Sequence, residues 1–329
     1  MQKQRLYNAV IVSGGVGSRL NLKKPKILAK IGRVNFLDFI YKYLHNNNFK
    51  KIVLCGGYGS ERIISHIKKK KYDIDFIQEK TPLGTGGAIF KNLENLDKNF
   101  LVILGDVYTN LDLKNYFKEH CKSQVAATIL SHANDHVYDS NLIIKSKEDY
   151  LHKVLPKGKK KIISENLVFS GIYFFSKKFV SKLKFNKNVL DLESNLIEGL
   201  RKKNFNIVVR KFFNFLIDFG TRKRIAILRK VIKEKVNFEK NLTIFDIEEA
   251  SIQNLKVLSK KLKKLKFKST NFLFLRKSFH LSGEKNIIRK IDSFFAEKKV
   301  MVNEVFFLRQ KNVLKKTSKN FKNLNIIKI

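Results

Sequence analysis

A glycine-rich turn near the N-terminus contains the residue types that could bind a phosphorylated ligand. The apolar run at residues 8–12 leads directly into the segment Ser13–Arg19. Glycines let backbone N–H groups approach a polyphosphate, because no side chain stands in the way. Arg19 and Lys26 add positive charge where a leaving pyrophosphate would need it. Taken alone, such a turn is also typical of a plain connection between a strand and a helix.

Two acidic residues follow later apolar runs. Asp106 comes after Phe100–Leu104, and Asp218 comes after Phe215–Ile217. Ligands of doubly wound sheets bind beyond the carboxyl ends of the strands, so the fold could bring both carboxylates to one cation. Mg²⁺ prefers a few carboxylates together with phosphate oxygens. A lone aspartate at such a position is otherwise typical of a turn or a helix N-cap.

The segment Pro82–Ala88 combines a turn with small residues that open a helix. A flat base could lie against this backbone, and free N–H groups of the helix N-terminus would be available nearby. Gln78 and Glu79 precede the segment and are candidates for reading the edge of the base. The alternative is that the small residues only allow the helix to pack closely on a sheet.

Alternating strand and helix patterns must position these residues. The pattern predicts an α/β fold, with a Rossmann-like, doubly wound mixed sheet built from right-handed βαβ units. Strands are predicted at 7–13, 51–55, 74–77, 100–104, 125–130, 167–175, 207–210 and 215–217. Helices are predicted at 36–44, with Asn35 as N-cap, and at 60–70, 86–93, 177–183, 190–202 and 221–234.

The last third of the chain is rich in lysine and is predicted to be a separate, smaller α/β domain. We predict one domain over residues 1–234 and another over 235–329. Within the second domain we expect helices at 252–265 and 284–298 and strands at 271–275 and 302–308. The segment from Lys311 onward is basic and polar, and we expect it to be partly disordered.

The ordered set of motifs resembles that of the sugar-1-phosphate nucleotidylyltransferases. It is most similar to the D-glycero-α-D-manno-heptose 1-phosphate and mannose-1-phosphate guanylyltransferases, over roughly residues 7–230. The resemblance implies the nucleotide-diphospho-sugar transferase fold and an enzyme that condenses a sugar 1-phosphate with an NTP, here GTP, to an NDP-sugar and pyrophosphate. The product would serve surface polysaccharide synthesis, including that of lipopolysaccharide. The motifs are Ser13–Leu20 with Pro25-Lys26, Pro82–Ala88, Leu104–Asp106 and Ile217–Thr221.

The same resemblance assigns roles to individual residues. It implies that Arg19, Lys26 and Asp106 are catalytic, and that Asp106 and Asp218 hold Mg²⁺. Asn166, Gly171 and Lys153 would contact the sugar phosphate. The nucleotide would be bound by Ser13, Gly14, Gly15, Gly17, Ser18, Glu79, Gly84, Thr85, Gly86 and Gly87. In one departure from the family, only residues 21–24 separate Leu20 from Pro25, so the phosphate loop is shortened.

Two further segments invite a functional interpretation. His132–Ser140 contains histidines and aspartates, but a substrate loop is favoured over a metal site. Ser251–Leu265, with the segments that follow it, resembles part of a haloacid-dehalogenase-type heptose bisphosphate phosphatase. Asp246-Ile-Glu-Glu is not the Asp-x-Asp-Gly motif of those enzymes, and Leu275 stands where they carry a threonine or serine. We therefore predict a non-catalytic remnant, with an unrelated lysine-rich appendage as the alternative.

The composition limits the classes of partner. The formal net charge is +40, but lysine far outnumbers arginine and the charge is spread along the chain, so a nucleic-acid partner is not expected. The positive field would instead steer anionic sugar phosphates and nucleotides. No apolar run of ~18 residues predicts a membrane span, no signal-peptide pattern is present, and two unpaired cysteines favour the cytoplasm.

The motifs leave two questions of function open. A homo-oligomer is possible, because the sequence does not reveal the oligomeric state. The alternative to an enzyme is a catalytically impaired regulatory protein that binds nucleotide or sugar phosphate. The shortened phosphate loop and the eroded second domain are the features that motivate this alternative.

Overall fold

The structure is a computed structural model with a mixed α/β architecture, which confirms the predicted fold class. It describes residues 6–15, 24–133, 140–157, 167–187, 189–212, 216–233, 241–247, 257, 270–275, 304–307 and 323–328. In these ranges no helix is long and apolar enough to cross a lipid bilayer.

The strands and helices alternate over the first 125 residues, as predicted. The strands are β1 (Tyr7–Val12), β2 (Lys30–Ile31), β3 (Val34–Asn35), β4 (Ile52–Gly56), β5 (Ile74–Gln78), β6 (Leu96–Leu104) and β7 (Val107–Thr109). The helices are α1 (Phe36–Asn46), α2 (Ser60–Lys70), α3 (Gly84–Lys91) and α4 (Leu113–Ser123). Asn35 caps α1 as predicted, in a reciprocal capping box with Asp38.

The following part of the chain adds mostly antiparallel strands. These are β8 (Ala127–Ala133), β9 (Leu142–Lys145), β10 (Leu151–Leu155), β11 (Leu167–Ser176), β12 (Ile207–Lys211) and β13 (Leu216–Asp218). The helices are α5 (Lys177–Val180), α6 (Glu198–Lys202) and α7 (Arg222–Lys233). The helix predicted at 190–202 is a π-helical turn, Leu192–Ile197, followed by α6. Patterning did not predict β2, β3, β7, β9, β10 or α4.

Nine of the described strands form one sheet, with the order β10-β9-β11-β6-β1-β4-β5, with β8 paired to β11 and with β12 paired to β8. Strands β6, β1, β4 and β5 run parallel to one another. Residues 9–12 of β1, 52–55 of β4 and 100–103 of β6 are continuously apolar and buried, because both faces of this part of the sheet are covered. One face packs against α1, α2, α4 and α7, and the other against α3, α6 and the π-helical turn. The doubly wound arrangement is therefore confirmed.

A second sheet consists entirely of residues after 240. It is parallel, has four strands and runs in the order β16-β15-β14-β17, where β14 is Asn241–Ile247, β15 is Thr270–Leu275, β16 is Glu304–Phe307 and β17 is Asn323–Lys328. The predicted strands at 271–275 and 302–308 are confirmed within a few residues. The predicted disorder after Lys311 is wrong for β17, whose backbone pairs with β14. The domain boundary near 234 and most of the two predicted C-terminal helices fall outside the described residues.

A buried histidine connects α4 to the main sheet. His120 Nδ1 lies 2.9 Å from Thr128 Oγ1, and His120 Nε2 lies 3.3 Å from Ser176 Oγ. Ser176 Oγ also lies 2.8 Å from Asn99 Oδ1 and 2.9 Å from the Val125 carbonyl oxygen, and its single proton is donated to one of these acceptors at a time. Burial lowers the pKa of His120 to about 4, so its imidazole is neutral in the folded protein.

This histidine makes the stability of the protein depend on pH. Below the unfolded-state pKa of about 6.5, the unfolded chain takes up a proton that folded His120 refuses. The free energy of unfolding should therefore fall by about 2 kcal/mol from pH 7.5 to pH 5 through this residue. Urea denaturation of wild type and His120→Gln across this range measures the effect as the difference between the two proteins.

The difference between wild type and His120→Gln removes the contribution of other groups that titrate in the same pH range. Glu193, whose pKa burial raises to about 6, is present in both proteins. Parallel pH profiles of wild type and His120→Gln would contradict the assignment of a neutral buried imidazole.

Candidate functional site

The carboxyl ends of three strands meet at Ser13. The Ser13 N–H donates to the Cys55 carbonyl at the end of β4, and the Gly105 N–H donates to the Val12 carbonyl at the end of β1, both at 2.8 Å. A Cβ at Gly105 would stand only 2.9 Å from Ser13 Cβ, so a larger residue would separate the two strand ends. This close approach places Asp106 directly beside the glycine-rich turn.

Lys26 contacts this group from a separate short segment. It begins a 3₁₀ turn, Lys26–Leu28, whose next two residues are buried in the core. Its Nζ donates to Asp106 Oδ2 and lies 5.4 Å from the centre of the Phe219 ring. Phe219 is fully buried and packs edge-on against Phe36, which fixes the surface beneath the ammonium group. The lysine is thus anchored at its base and paired at its tip.

Asp218 reaches the same place through a small antiparallel ribbon. Strand β13 pairs with β7 so that Asp218 lies opposite Val107, the residue after Asp106. The Phe219 N–H also donates to the Asp106 carbonyl at 3.1 Å. The structure therefore brings the backbone of Asp218 next to that of Asp106, although the two residues are far apart in sequence. A Cβ at Gly220 would lie 4.0 Å from Lys26 Nζ, which places the lysine beside both acids.

Arg224, which sequence reasoning missed, is the second cation of this site. Its Nη1 donates to Asp218 Oδ2 from the first turn of α7, while Asp218 Oδ1 accepts the Gly220 N–H at 3.0 Å. Burial alone would raise the pKa of Asp218, but the Arg224 charge, these hydrogen bonds and the Lys26 charge lower it below its ordinary value. The spacing of six residues from Asp218, at the start of a predicted helix, was the available signal.

Glu79 lies on the backbone of the glycine-rich turn. A Cβ at Gly14 would meet Glu79 Oε2 at 3.2 Å, so glycine is needed for this contact. Glu79 Oε2 accepts a long hydrogen bond of 3.4 Å from the Leu83 N–H, whereas buried Oε1 has no partner among the described residues. Burial raises the pKa of Glu79. An unpartnered buried acceptor points to a ligand that supplies donors.

The N-terminus of α3 is occupied by another part of the chain. The N–H groups of Gly86 and Gly87 both donate to the Leu190 carbonyl, at 2.8 and 3.1 Å, and the Leu192 N–H donates to Thr85 Oγ1. The N–H groups of Gly86 and Gly87 are therefore not free for a base. A Cβ at Gly86 would come within 2.9 Å of the Asp191 backbone. Close approach of another segment thus explains Gly86, but that segment is 190–191 and not the sheet that the alternative interpretation named.

The remaining predicted residues lie in different environments. Gly15 is exposed, and nothing lies within 4 Å of a Cβ placed on it, so its backbone faces open space. Gly171 has φ +79° at a bulge in β11 and packs against Leu104 and Val107. Lys153 is exposed on β10, at the edge of the sheet. Gly17, Ser18, Arg19, Asn166 and most of His132–Ser140 lie outside the described residues.

The arrangement suits a divalent cation only if a substrate supplies part of the coordination. Within the described ranges, no group of three or more His, Cys, Asp or Glu side chains could hold a metal ion. Asp106 and Asp218 offer hard carboxylate oxygens, which are the donor type that Mg²⁺ takes. Both carboxylates are paired with cationic side chains.

Comparisons with known proteins agree with this geometry. The family described as Nucleotidyl transferase matches residues 8–206. A D-glycero-alpha-D-manno-heptose 1-phosphate guanylyltransferase from Campylobacter jejuni is 30% identical over 228 residues, which are 64% of this chain and 94% of that protein. A protein of the same name from Aneurinibacillus thermoaerophilus is 27% identical over 216 residues, 64% of this chain and 89% of that protein.

A solved structure shares the fold. HddC from Yersinia pseudotuberculosis, complexed with GMP-PN, has a TM-score of 0.58 at 24% identity, with 69% of this chain and all of that chain covered. The family match ends at residue 206. The resemblance of the C-terminal residues to a phosphatase therefore stays a prediction.

Substitutions at Gly84, in α3, and at Gly15, in the glycine-rich turn, should differ strongly in their effect on the free energy of unfolding. Gly84 has φ +74°, and a Cβ there would stand 2.4 Å from the Leu190 carbonyl oxygen. Gly84→Ala should lower the free energy of unfolding by about 2 kcal/mol or more, because backbone strain and overlap add. Gly15→Ala, which meets no atom, should change it by less than about 0.5 kcal/mol. Urea unfolding of both variants measures the contrast, and equal stabilities would refute it.

Proposed function

Because the chain belongs to the nucleotidyl transferase family, we propose that it joins a sugar 1-phosphate to the nucleotidyl group of an NTP and releases pyrophosphate. The observation that carries this proposal is the meeting of Lys26, Asp106 and Asp218 beside the glycine-rich turn. A site that only bound a nucleotide would not need two adjacent carboxylates. The proposal therefore favours a catalyst over a regulatory binding protein.

The proposed reaction needs little covalent chemistry from the protein. A phosphate oxygen of the sugar 1-phosphate attacks the α-phosphorus of the nucleotide. The bond from that phosphorus to the bridging oxygen breaks, and its electron pair leaves with pyrophosphate. The attacking phosphate is already ionised near neutral pH, so no general base is required. The protein has to align the two anions and neutralise their charge.

Individual residues supply these functions in the proposal. The exposed backbone at Gly15, next to Gly14, accommodates the phosphates of the nucleotide. Lys26 provides a fixed positive charge beside the strand ends, because Phe219 and Asp106 hold its ammonium group. By resemblance, Arg19 adds a second positive charge towards the pyrophosphate.

We propose Mg²⁺ as the cofactor, held by Asp106 and Asp218. The donor set fits this ion, since both ligands are carboxylates and the phosphates complete the coordination. When bound, Mg²⁺ would supply charge neutralisation of the reacting phosphates. The role of the chain is to hold the two carboxylates side by side through the pairing of β7 with β13.

The proposed base is guanine, and Glu79 is the residue that would read it. The Watson–Crick edge of guanine carries two adjacent donors, N1–H and N2–H₂. A carboxylate accepts from both, whereas adenine, cytosine and uracil each present only one donor group at that edge. The unpartnered Oε1 of Glu79 beside Gly14 supports this assignment.

For the sugar we propose a heptose or mannose 1-phosphate. The two curated relatives are named for a heptose 1-phosphate, which supports the first choice. The product would be an activated sugar for surface polysaccharide synthesis. The direct experiment incubates the protein with Mg²⁺, each of four NTPs, and mannose, heptose or glucose 1-phosphate, and measures pyrophosphate release. Folded protein that releases none with any pair would refute the proposed function.

Removing one of the two carboxylates should stop turnover. Asp106→Asn and Asp218→Asn should each lower kcat by about 100-fold or more, because charge neutralisation at the reacting phosphates is lost. Asp97→Asn is the matched control, since this aspartate lies at the opposite end of β6. Steady-state pyrophosphate release measures all three variants. Near-normal turnover by Asp106→Asn would contradict the assignment.

Substitution of Glu79 should change the choice of base. In Glu79→Gln one acceptor becomes a donor that faces a donor of guanine, so kcat/KM for GTP should fall by about 10–100-fold. The value for UTP should change much less. Competition between GTP and UTP at equal concentration measures the selectivity. An unchanged preference, with unchanged thermal unfolding, would show that another residue reads the base.

A further inference from the structure

Arg224 lies where a third phosphate-binding cation would be useful. It stands in the first turn of α7, its backbone N–H lies 3.3 Å from Thr221 Oγ1, and its guanidinium reaches Asp218 Oδ2. The side chain is 30% exposed and its partner 41%, so water reaches the ion pair. Because water screens this partly exposed ion pair, we expect it to add only on the order of 1 kcal/mol to stability. Stability alone is therefore a weak reason for this contact.

The contact occupies a carboxylate oxygen that the proposed reaction needs. Asp218 Oδ1 accepts the Gly220 N–H, and Oδ2 accepts Arg224. Asp106 Oδ2 likewise accepts Lys26. Two positive side chains thus balance two negative ones in the described part of the site. A divalent cation that entered alone would meet carboxylates whose charge is already compensated.

The charge balance changes when an anionic substrate arrives with the cation. A phosphate brings negative charge and oxygen acceptors, so a guanidinium displaced from Asp218 finds a new partner within reach. Arginine suits this exchange, because its fork of N–H donors matches carboxylate and phosphate alike. A lysine would act only as a point charge.

We propose that Arg224 binds the phosphate of the incoming substrate and is held on Asp218 while the site is empty. This inference rests on the proposed function of the same site. Arg224 thereby keeps Asp218 from taking up a cation before the phosphate is present. The phosphate bound by Arg224 is assigned to the sugar 1-phosphate, because the phosphates of the nucleotide are proposed to bind at the glycine-rich turn after β1.

Equilibrium binding tests the exchange without turnover. The probes are Mn²⁺ alone, followed by electron paramagnetic resonance, and inorganic phosphate added to the Mn²⁺-loaded protein. Arg224→Gln should bind Mn²⁺ alone about fivefold or more tightly than wild type, because Asp218 is released. The same variant should bind phosphate about fivefold or more weakly. Arg224→Lys should fall between the two proteins in both measurements.

Arg222→Gln is the matched control. Arg222 is exposed in the same helical turn and its loss changes the net charge equally. The control should differ from wild type by less than twofold in both affinities. If Arg224→Gln matches Arg222→Gln for Mn²⁺ and phosphate, Arg224 is only a structural partner of Asp218 and the inference is overturned. The double variant Asp218→Asn/Arg224→Gln should lose the gain in Mn²⁺ affinity.

A kinetic measurement separates this inference from the proposed function. With the substrate pair that reacts best, Arg224→Gln should raise KM for the sugar 1-phosphate about tenfold and leave KM for the NTP within twofold. An equal rise in both would overturn the assignment to the sugar phosphate. If no pair reacts with wild type, the proposed function fails, and the Mn²⁺ and phosphate affinities still decide the role of Arg224.

Discussion

Backbone pairing at the end of a sheet brings Asp106 and Asp218 together, and their negative charges must be neutralised. This constraint organises the site. Lys26 and Arg224 meet it in the protein without substrate, and each comes from a different element packed on the same face. The pairing of β7 with β13 brings the two negative charges together, because it sets Asp218 opposite Val107, the residue after Asp106. Opposite charges at contact distance then fix where the lysine and arginine point.

The main sheet holds the residues of the site in fixed positions. Strand β1 is hydrogen-bonded on both sides, to β4 and to β6, so its C-terminal end at Val12 cannot shift without breaking both ladders. Glycine is required at position 14 because the Glu79 carboxylate lies against the backbone there. Glycine is required at position 105 because the end of β6 approaches Ser13 closely. The proposed phosphate, base and metal positions therefore share one rigid support.

The N-terminus of α3 contributes to packing. The segment around Leu190 and Asp191 closes the N-terminus of α3 through the Leu190 carbonyl, so those helix N–H groups hold the fold together. Glycines at 84 and 86 are needed because backbone passes where a Cβ would be. A glycine motif that suggests ligand binding in a sequence can thus serve packing. The two roles can be distinguished only when the segment that packs against the motif is known.

The sequence by itself determined the alternation of strands and helices, the glycine turn after β1, and the strand-end positions of Asp106 and Asp218. These features follow from local rules of periodicity and turn chemistry, which act over a few residues. Only the tertiary structure decided that Arg224 pairs with Asp218, and that β7 and β13 form a ribbon. It also decided that the Leu190 carbonyl accepts N–H groups at the N-terminus of α3. Each of these contacts depends on which elements become neighbours, or on where a side chain points once they do. Sequence spacing does not carry that information, because burial and charge pairing are settled only when distant segments pack together.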